Sequence, residues 1–506
     1  MKERSRRTEA YTNRKSDDVI VPEKQSNKEA PASAENVEER TSAKRNTSKE
    51  TTCRTQSRAQ VSFGLGGVRK RASNDKSCCF TALLHHITED LLRQSFYNLK
   101  RKAAPGIDGK SWWDYEKILE ERLPKLHDEL HKGSYRAKPV LRIYIDKEGG
   151  GKRPLGVTSI EDKLVQQAVG TILENIYECD FLGFSYGFRP GRSQHDALDA
   201  LASAISSRRI NWVLDADLQA FFDRIPHDQL LGLIKIRVGD KRILRLISKW
   251  LKTGYSEDGT LHRQEIGTPQ GSVISPLLAN IYLHYVLDEW VEHERKTKTY
   301  GDIIMVRYAD DFVLGFQHKS EAEHFHAVLK ERLSSFGLTL HPEKTRLIEF
   351  GRFADQDRKR RGESNAETFN FLGFTHACSL STKGRFWVKR ISISKRFRTK
   401  LKSVKEKLRK RINRPIHETG VWLRSVVVGY GNYFGVPGNS NAIRLFRNQC
   451  IRLWLKTLRR RSHKARKLTW ERFVPIIDKY IPHLRICHPY PEVRFFANTQ
   501  GRSRMR

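Results

Sequence analysis

The sequence predicts a mixed α/β region followed by an all-helical, intensely basic one, and three observations carry that expectation. Between about Leu141 and His376, short runs rich in β-formers alternate with amphipathic helical stretches, a pattern of α+β or α/β layering and not of a repeat array. From Lys395 onward the period becomes helical and cations crowd the sequence. Ahead of both, Met1 to about Lys76 is rich in Ser, Thr, Lys, Glu and Arg, with Tyr11 and Phe63 as its only aromatics. That is too little apolar surface to offset the entropy of ordering, so a disordered charged leader is expected over 1–76.

Folded structure is expected to begin near Phe80. Phe80, Leu83, Leu84, Ile87, Leu91 and Leu92 recur at helical spacing, and Thr88 with Asp90 supplies cap-type residues between two helices. In the basic region Phe397, Leu401, Val404, Leu408 and Ile412 form an apolar stripe, while ten Lys and Arg residues between Lys395 and Arg411 occupy the rest. One side packs and the other can meet phosphates, since a face that merely solubilises normally mixes its charges. A second basic helix places Ile451, Leu455 and Leu458 inside and ends at Arg459 to Arg461, where cations suit the helix dipole.

Charge narrows the partners. Lys and Arg number 94 against 58 Asp and Glu, a formal charge of +36 that would self-repel unless a polyanion neutralised it. Nucleic acid is the expected partner, although composition alone leaves open a basic protein kept soluble by its charge. Seven cysteines include no C-x-x-C pair, against a structural zinc site and against a disulfide framework. No apolar run reaches the ~18 residues that span a bilayer, and no signal-peptide segment opens the chain. A protein of the reducing cytoplasm, without membrane association, is expected. Glu3, Glu9, Asp17 and Asp18 disfavour an organellar transit peptide.

Two segments carry the chemistry. Ile303 to Leu314 predicts strand, tight turn and strand with Asp310 and Asp311 at the turn. Adjacent carboxylates between apolar strands repel, and a divalent cation with oxygen ligands relieves that repulsion. Taken alone, the pair is equally an ordinary Asp-Asp turn on a surface hairpin. The second segment, Trp212 to Asp223, predicts an apolar strand ending in Asp215 and Asp217, then a helix. Carboxylates from two strand ends are what nucleotidyl transfer by metal ions requires.

From Phe80 to the C-terminus the chain resembles the reverse transcriptases encoded by group II introns. Tyr308-Ala309-Asp310-Asp311 is similar to their Y-x-D-D box. Around it, in family order, stand Gly106-Ile107-Asp108-Gly109, Ile145-Asp146-Lys147, Arg153-Pro154-Leu155-Gly156 and Ser185 to Ser193. The Asp217 block, Gly267 to Ser272, His341 to Thr345 and Phe371-Leu372-Gly373-Phe374 continue the series. Gly429 to Phe434 and Thr469-Trp470 resemble the maturase or X domain, the thumb of this family.

The resemblance implies a right-hand polymerase, α+β in its fingers and palm, followed by an all-helical basic thumb. It divides the chain into a leader (1–76), an N-terminal extension and the start of the fingers (77–140), fingers and palm (141–385), thumb (386–480) and a short basic tail (481–506). Asp217, Asp310 and Asp311 are implied as the catalytic carboxylates, holding two Mg²⁺ ions together with Leu218. Asp215 rivals Asp217, but the family has an aromatic sugar gate five residues after its first carboxylate, and Phe222 meets that from Asp217. Lys147, Arg153, Phe222, Gln270 and Leu218 are implied to bind the deoxynucleotide, and Arg189, Arg192, Lys344, Lys400, Lys407 and Arg411 the nucleic acid. Asp146 stands where the family commonly has Pro. A Phe in the core, a turn Gln and structural ion pairs of Arg189 and Arg192 are the plain readings of those positions.

The function implied is RNA-directed DNA synthesis on intron RNA, with help to splicing. Its partners would be group II intron RNA, a DNA target or primer and dNTPs, with dimerisation left open. No paired cysteines follow Trp470, so a member lacking the endonuclease is expected. A domesticated reverse transcriptase and an RNA-binding splicing cofactor without polymerase activity are the alternatives.

Overall fold

The computed structural model describes residues 64–146 and 151–494. Lys147, expected at the triphosphate, lies outside them, as do residues 1–63 of the expected leader. In chain order the strands are β1 (Val140–Asp146), β2 (Lys152–Val157), β3 (Trp212–Asp217), β4 (Tyr255–Glu257), β5 (Thr260–His262), β6 (Ile303–Tyr308), β7 (Asp311–Phe316), β8 (Arg346–Glu349), β9 (Phe369–Phe371), β10 (Phe374–Leu380) and β11 (Phe386–Ser392). They form three sheets, ordered β2-β1-β4-β5, β6-β7-β3-β8 and β11-β10-β9.

The central sheet, β6-β7-β3-β8, is antiparallel throughout and buried on both faces. Period-two alternation sends Ile303, Met305, Leu214, Phe312 and Leu314 into the largest core, shared with the helices Ile160–Tyr177 and Ser275–Leu283. The residues between them, Ile304, Val306, Val213, Val313 and Ile348, enter a second core built with the helix Gln194–Ser207 and strands β9 to β11. A sheet clamped between two cores can slip register only by exchanging both sets of side chains, which holds its strand ends in place.

The basic region is helical, as its periodicity predicts. Helices Ser394–Lys410, Ile416–Phe434, Ser440–Leu458 and Trp470–Tyr480 close on a core of their own, with Val404, Leu408, Ile451, Trp454, Leu455 and Leu458 buried. Among the described residues no helix is long and apolar enough to cross a membrane.

Two differences from expectation concern the start of the folded chain. Residues 64–74 form a helix inside the stretch expected to be disordered. Leu65, Val68 and Ala72 give it one buried stripe, and the buried Arg237 guanidinium donates to the carbonyls of Ala72, Asp75 and Cys78. A few well-placed apolar groups and a cation on the terminal carbonyls order a segment whose composition is polar. Second, Leu84–His86 is only a 3₁₀ turn ahead of the helix Glu89–Asn98, which Thr88 caps by accepting from Leu91 N. The six apolar residues of that region are all buried.

Candidate active site

Register brings the carboxylates together. In the β3–β7 pair Asp217 stands opposite Asp311, and Tyr308 opposite Asp311 closes the β6–β7 hairpin around a two-residue turn, Ala309-Asp310. Directly opposed residues in such a ladder have Cβ atoms about 4.5–5.5 Å apart. Asp215 precedes Asp217 by two and shares its face of the sheet. Burial, with Asp310, Asp215 and Asp217 adding repulsion, holds the Asp311 carboxyl well above the usual range. Burial also pushes Asp215 up to about 6, against the pull of Arg346 3.8 Å away.

Lys344, expected to contact nucleic acid, is exposed and its ammonium lies at the acidic site. His341 N donates to the carbonyl of Asp217 and the residue before it, Leu340, bridges Leu218, so this segment is laid along the end of β3. The turn after His341 puts Lys344 Nζ 2.6 Å from Asp217 Oδ2. Among the described residues no three His, Cys, Asp or Glu side chains converge to hold an ion as placed. Asp217 is turned onto the ammonium, so a cation enters here by displacing it. The donor set fits that exchange, since hard carboxylate oxygens are ligands for a hard divalent cation. Asp217, Asp310 and Asp311 would hold it. Leu218 is buried and apolar, so only its main-chain carbonyl could contribute.

A second group of residues stands beside the carboxylates. Ala220 takes φ 49° and starts the short helix Phe221–Arg224, leaving Phe222 half-buried with its ring 5.2 Å from that of Phe221. The Gly267–Gly271 loop is wedged between this helix and β2. Thr268 N donates to the Phe222 carbonyl at 2.7 Å, and Gly156 N to the Gln270 carbonyl at 2.6 Å. A Cβ on Gly267, at φ 84°, would lie 2.8 Å from the carbonyl oxygens of Phe222 and Asp223. Arg153 Nε donates to Gln270 Oε1 at 2.8 Å, and Gln270 Nε2 to Asp223 at 3.3 Å. Phe222, Gln270 and Arg153 therefore form one connected wall, reached from three distant parts of the sequence.

Arg189 and Arg192, expected to contact nucleic acid, both make hydrogen bonds within the chain. Arg189 is buried; it pairs with Glu178 at 2.6 Å and donates to the carbonyls of Leu182 and Ser185. Arg192 donates to the carbonyls of Gly183 and Ser185, and burial beside Arg189 pulls it down to about 10. Both guanidiniums brace the Leu182–Ser185 loop, which leads to Gly187. A Cβ on Gly187 would stand 2.2 Å from Ala309 N, so only glycine lets this loop lie against the carboxylate turn.

On the helix Ser394–Lys410, Lys407 is exposed, while Lys400 is half-buried and brought down to about 8 by burial and by Lys407. Arg411, just past its end, stacks 4.9 Å over the Trp422 ring. The residue that sequence reasoning missed is Arg307, fully buried beneath the turn. Its signal was available: a cation inside an apolar strand must have buried partners.

The fold and the opposed carboxylates define a polymerase-type palm, and the comparisons with known proteins make the class specific. Residues 145–376 match the reverse transcriptase (RNA-dependent DNA polymerase) family. The chain is 38% identical over 229 residues to the group II intron-encoded protein LtrA of Lactococcus lactis, covering 45% of this chain and 38% of that protein. It is 34% identical over 313 residues to protein YkfC of Escherichia coli, covering 54% and 81% respectively. With a mitochondrial nuclear intron maturase 1 of Arabidopsis thaliana it shares 27% over 163 residues, 32% of this chain and 21% of that protein. The chain belongs to the reverse transcriptase family and, within it, is similar to proteins encoded by group II introns. It spans less than half the length of the LtrA proteins it matches.

Proposed function

We propose that this protein copies RNA into DNA by nucleotidyl transfer at Asp217, Asp310 and Asp311, and that it binds group II intron RNA and assists its splicing. The observation that carries the reading is the register that opposes Asp217 to Asp311 beside a turn bearing Asp310. The primer 3′-hydroxyl oxygen attacks the α-phosphorus of a dNTP, its proton passes to solvent water, and the bond to pyrophosphate breaks, releasing pyrophosphate. Two Mg²⁺ ions, when bound, acidify that hydroxyl and offset the charge on the triphosphate.

The chain's own residues do the rest. Asp217 and Asp310 are the principal ligands, with Asp311 completing the acidic pocket. Arg153, with Lys147 ahead of it, neutralises the β- and γ-phosphates. Gln270, held between Arg153 and Asp223, lies along the nascent pair. The Phe222 ring lies beneath the sugar, where a 2′-hydroxyl would clash. Residues 141–385 serve as fingers and palm and 386–480 as a thumb, whose exposed cations such as Lys407 contact backbone phosphates of the template, the DNA primer or the intron.

Primer extension on an RNA template with Mg²⁺, comparing wild type with Asp310→Asn, tests this, alongside splicing of precursor intron RNA at low Mg²⁺. Extension should vanish in the variant while splicing persists. Absence of extension by wild type with splicing still stimulated would reduce the protein to an RNA-binding splicing cofactor.

A further inference from the structure

Arg307 lies on β6, but on the face of the sheet opposite the carboxylates, continuing the row of Ile303 and Met305. It has no accessible surface, so neither substrate nor cation reaches it. Its guanidinium is spent on four groups. Nε and Nη2 grip both oxygens of Asp288, at 2.7 and 2.5 Å. Nη2 also donates to Ser185 Oγ at 2.7 Å, and Nη1 to Asn280 Oδ1 at 2.9 Å. The remaining bond, from Nη1 at 2.9 Å, goes to the carbonyl of Ala309, the first residue of the carboxylate turn.

Each partner is itself fixed. Asp288 ends a π-helical segment, His284–Asp288, that interrupts the long helical run between Ser275 and Thr297. The added residue per turn rotates the helix beyond it, and such segments recur at functional sites. Asn280 donates from Nδ2 to the Gly187 carbonyl at 2.7 Å, holding the loop that abuts Ala309. Ala309 sits at φ 59°, a conformation that costs a non-glycine residue energy and persists only where surroundings impose it. Gly187 abuts the peptide that precedes Ala309 and Arg307 bonds the carbonyl that follows it, so both bear on this one residue.

We propose that Arg307 is the positioning residue of the cation site: through the Ala309 carbonyl it sets where Asp310 and Asp311 present their oxygens, and Asp288 and Asn280 hold it there. The proposal rests on the reading that these carboxylates bind a divalent cation. It is distinct from a purely structural ion pair, because the bond to Ala309 touches the turn whereas the bond to Ser185 does not.

Mn²⁺ binding to the full chain, read by the spin-resonance signal of the free ion without nucleic acid, separates the two. Arg307→Lys keeps the charge against Asp288 but loses the fork that reaches Ala309. It should weaken Mn²⁺ about tenfold or more. Ser185→Ala removes a bond to the same guanidinium without releasing the turn, and should leave Mn²⁺ affinity unchanged while lowering the melting temperature. Should Arg307→Lys fail to fold, Asp288→Asn carries the same expectation. Wild-type affinity in a folded Arg307→Lys or Asp288→Asn, or equal weakening by Ser185→Ala, would overturn the role of Arg307. A wild-type chain that binds no Mn²⁺ would overturn the cation site itself, and the proposal with it.

Discussion

At the scale of single residues, the acidic site is defined by how badly its charges fit without a counter-ion. Asp311 in the folded chain holds its proton to well above the ordinary carboxylate range, chiefly through burial and then through Asp310, Asp215 and Asp217. Between the unfolded and folded pKa values the folded state therefore binds more protons, so stability falls as pH rises through that window. Asp311→Asn should raise the melting temperature in chelator at pH 8, have little effect near pH 4, and lose its advantage when Mg²⁺ is added. Thermal melts at the two pH values, with and without Mg²⁺, check this; a variant destabilised at pH 8 in chelator would contradict it. Phe222 invites a test of different chemistry. If its ring excludes the 2′-hydroxyl, Phe222→Ala should improve ribonucleotide incorporation relative to deoxynucleotide by about tenfold, measured as the ratio of kcat/KM values in single-nucleotide extension.

At the scale of elements, the Gly267–Gly271 loop links the short helix Phe221–Arg224 to β2, so the sides proposed to meet the sugar and the phosphates are tied together. Gly267→Ala forces a Cβ to 2.8 Å from two carbonyl oxygens of that helix, at a φ of 84° that alanine resists. The loop must shift, and the expected result is a KM for dNTP raised about tenfold with RNA affinity unchanged in a binding titration. These elements differ in how far the sequence betrayed them. The β6–β7 hairpin and β3 were legible because apolar runs ended in carboxylates, and the stripe from Phe397 to Leu408 was legible as helix. The helix at 64–74 was not, since three apolar residues among Arg, Lys and Ser gain their order from Arg237, over 160 residues away. The places of Arg189, Arg192 and Lys344 were hidden for the same reason: a cation's partner is a tertiary fact, and Lys344 meets Asp217 across 127 positions.

At the scale of the whole molecule, a charge of +36 has to be reconciled with a stable fold. Some cations are internal and neutralised one for one: Arg189, Arg237, Arg307 and Arg390 are buried against Glu178, Asp180, Asp288 and Asp199, so the surplus is carried by other residues. Part of that surplus lies on the helix Ser394–Lys410, where Lys405, Lys407 and Lys410 are exposed and Glu406 is the one acid of the helix. Sequence composition could not make this division, because it counts a buried arginine and a surface lysine alike. If the thumb face binds backbone phosphates, each exposed lysine that contacts one releases a counter-ion, and the logarithm of affinity falls linearly with that of salt. Replacing Lys405 and Lys407 together by Ala should then lower that slope by about 0.7 for each single-stranded phosphate no longer neutralised, and weaken RNA of any sequence alike. Arg189→Ala should behave oppositely, costing stability without changing the slope, because its guanidinium is spent on Glu178 and on main-chain carbonyls. Filter binding of intron RNA across a salt series measures both, and an unchanged slope in the double lysine variant would move the RNA interface off this helix.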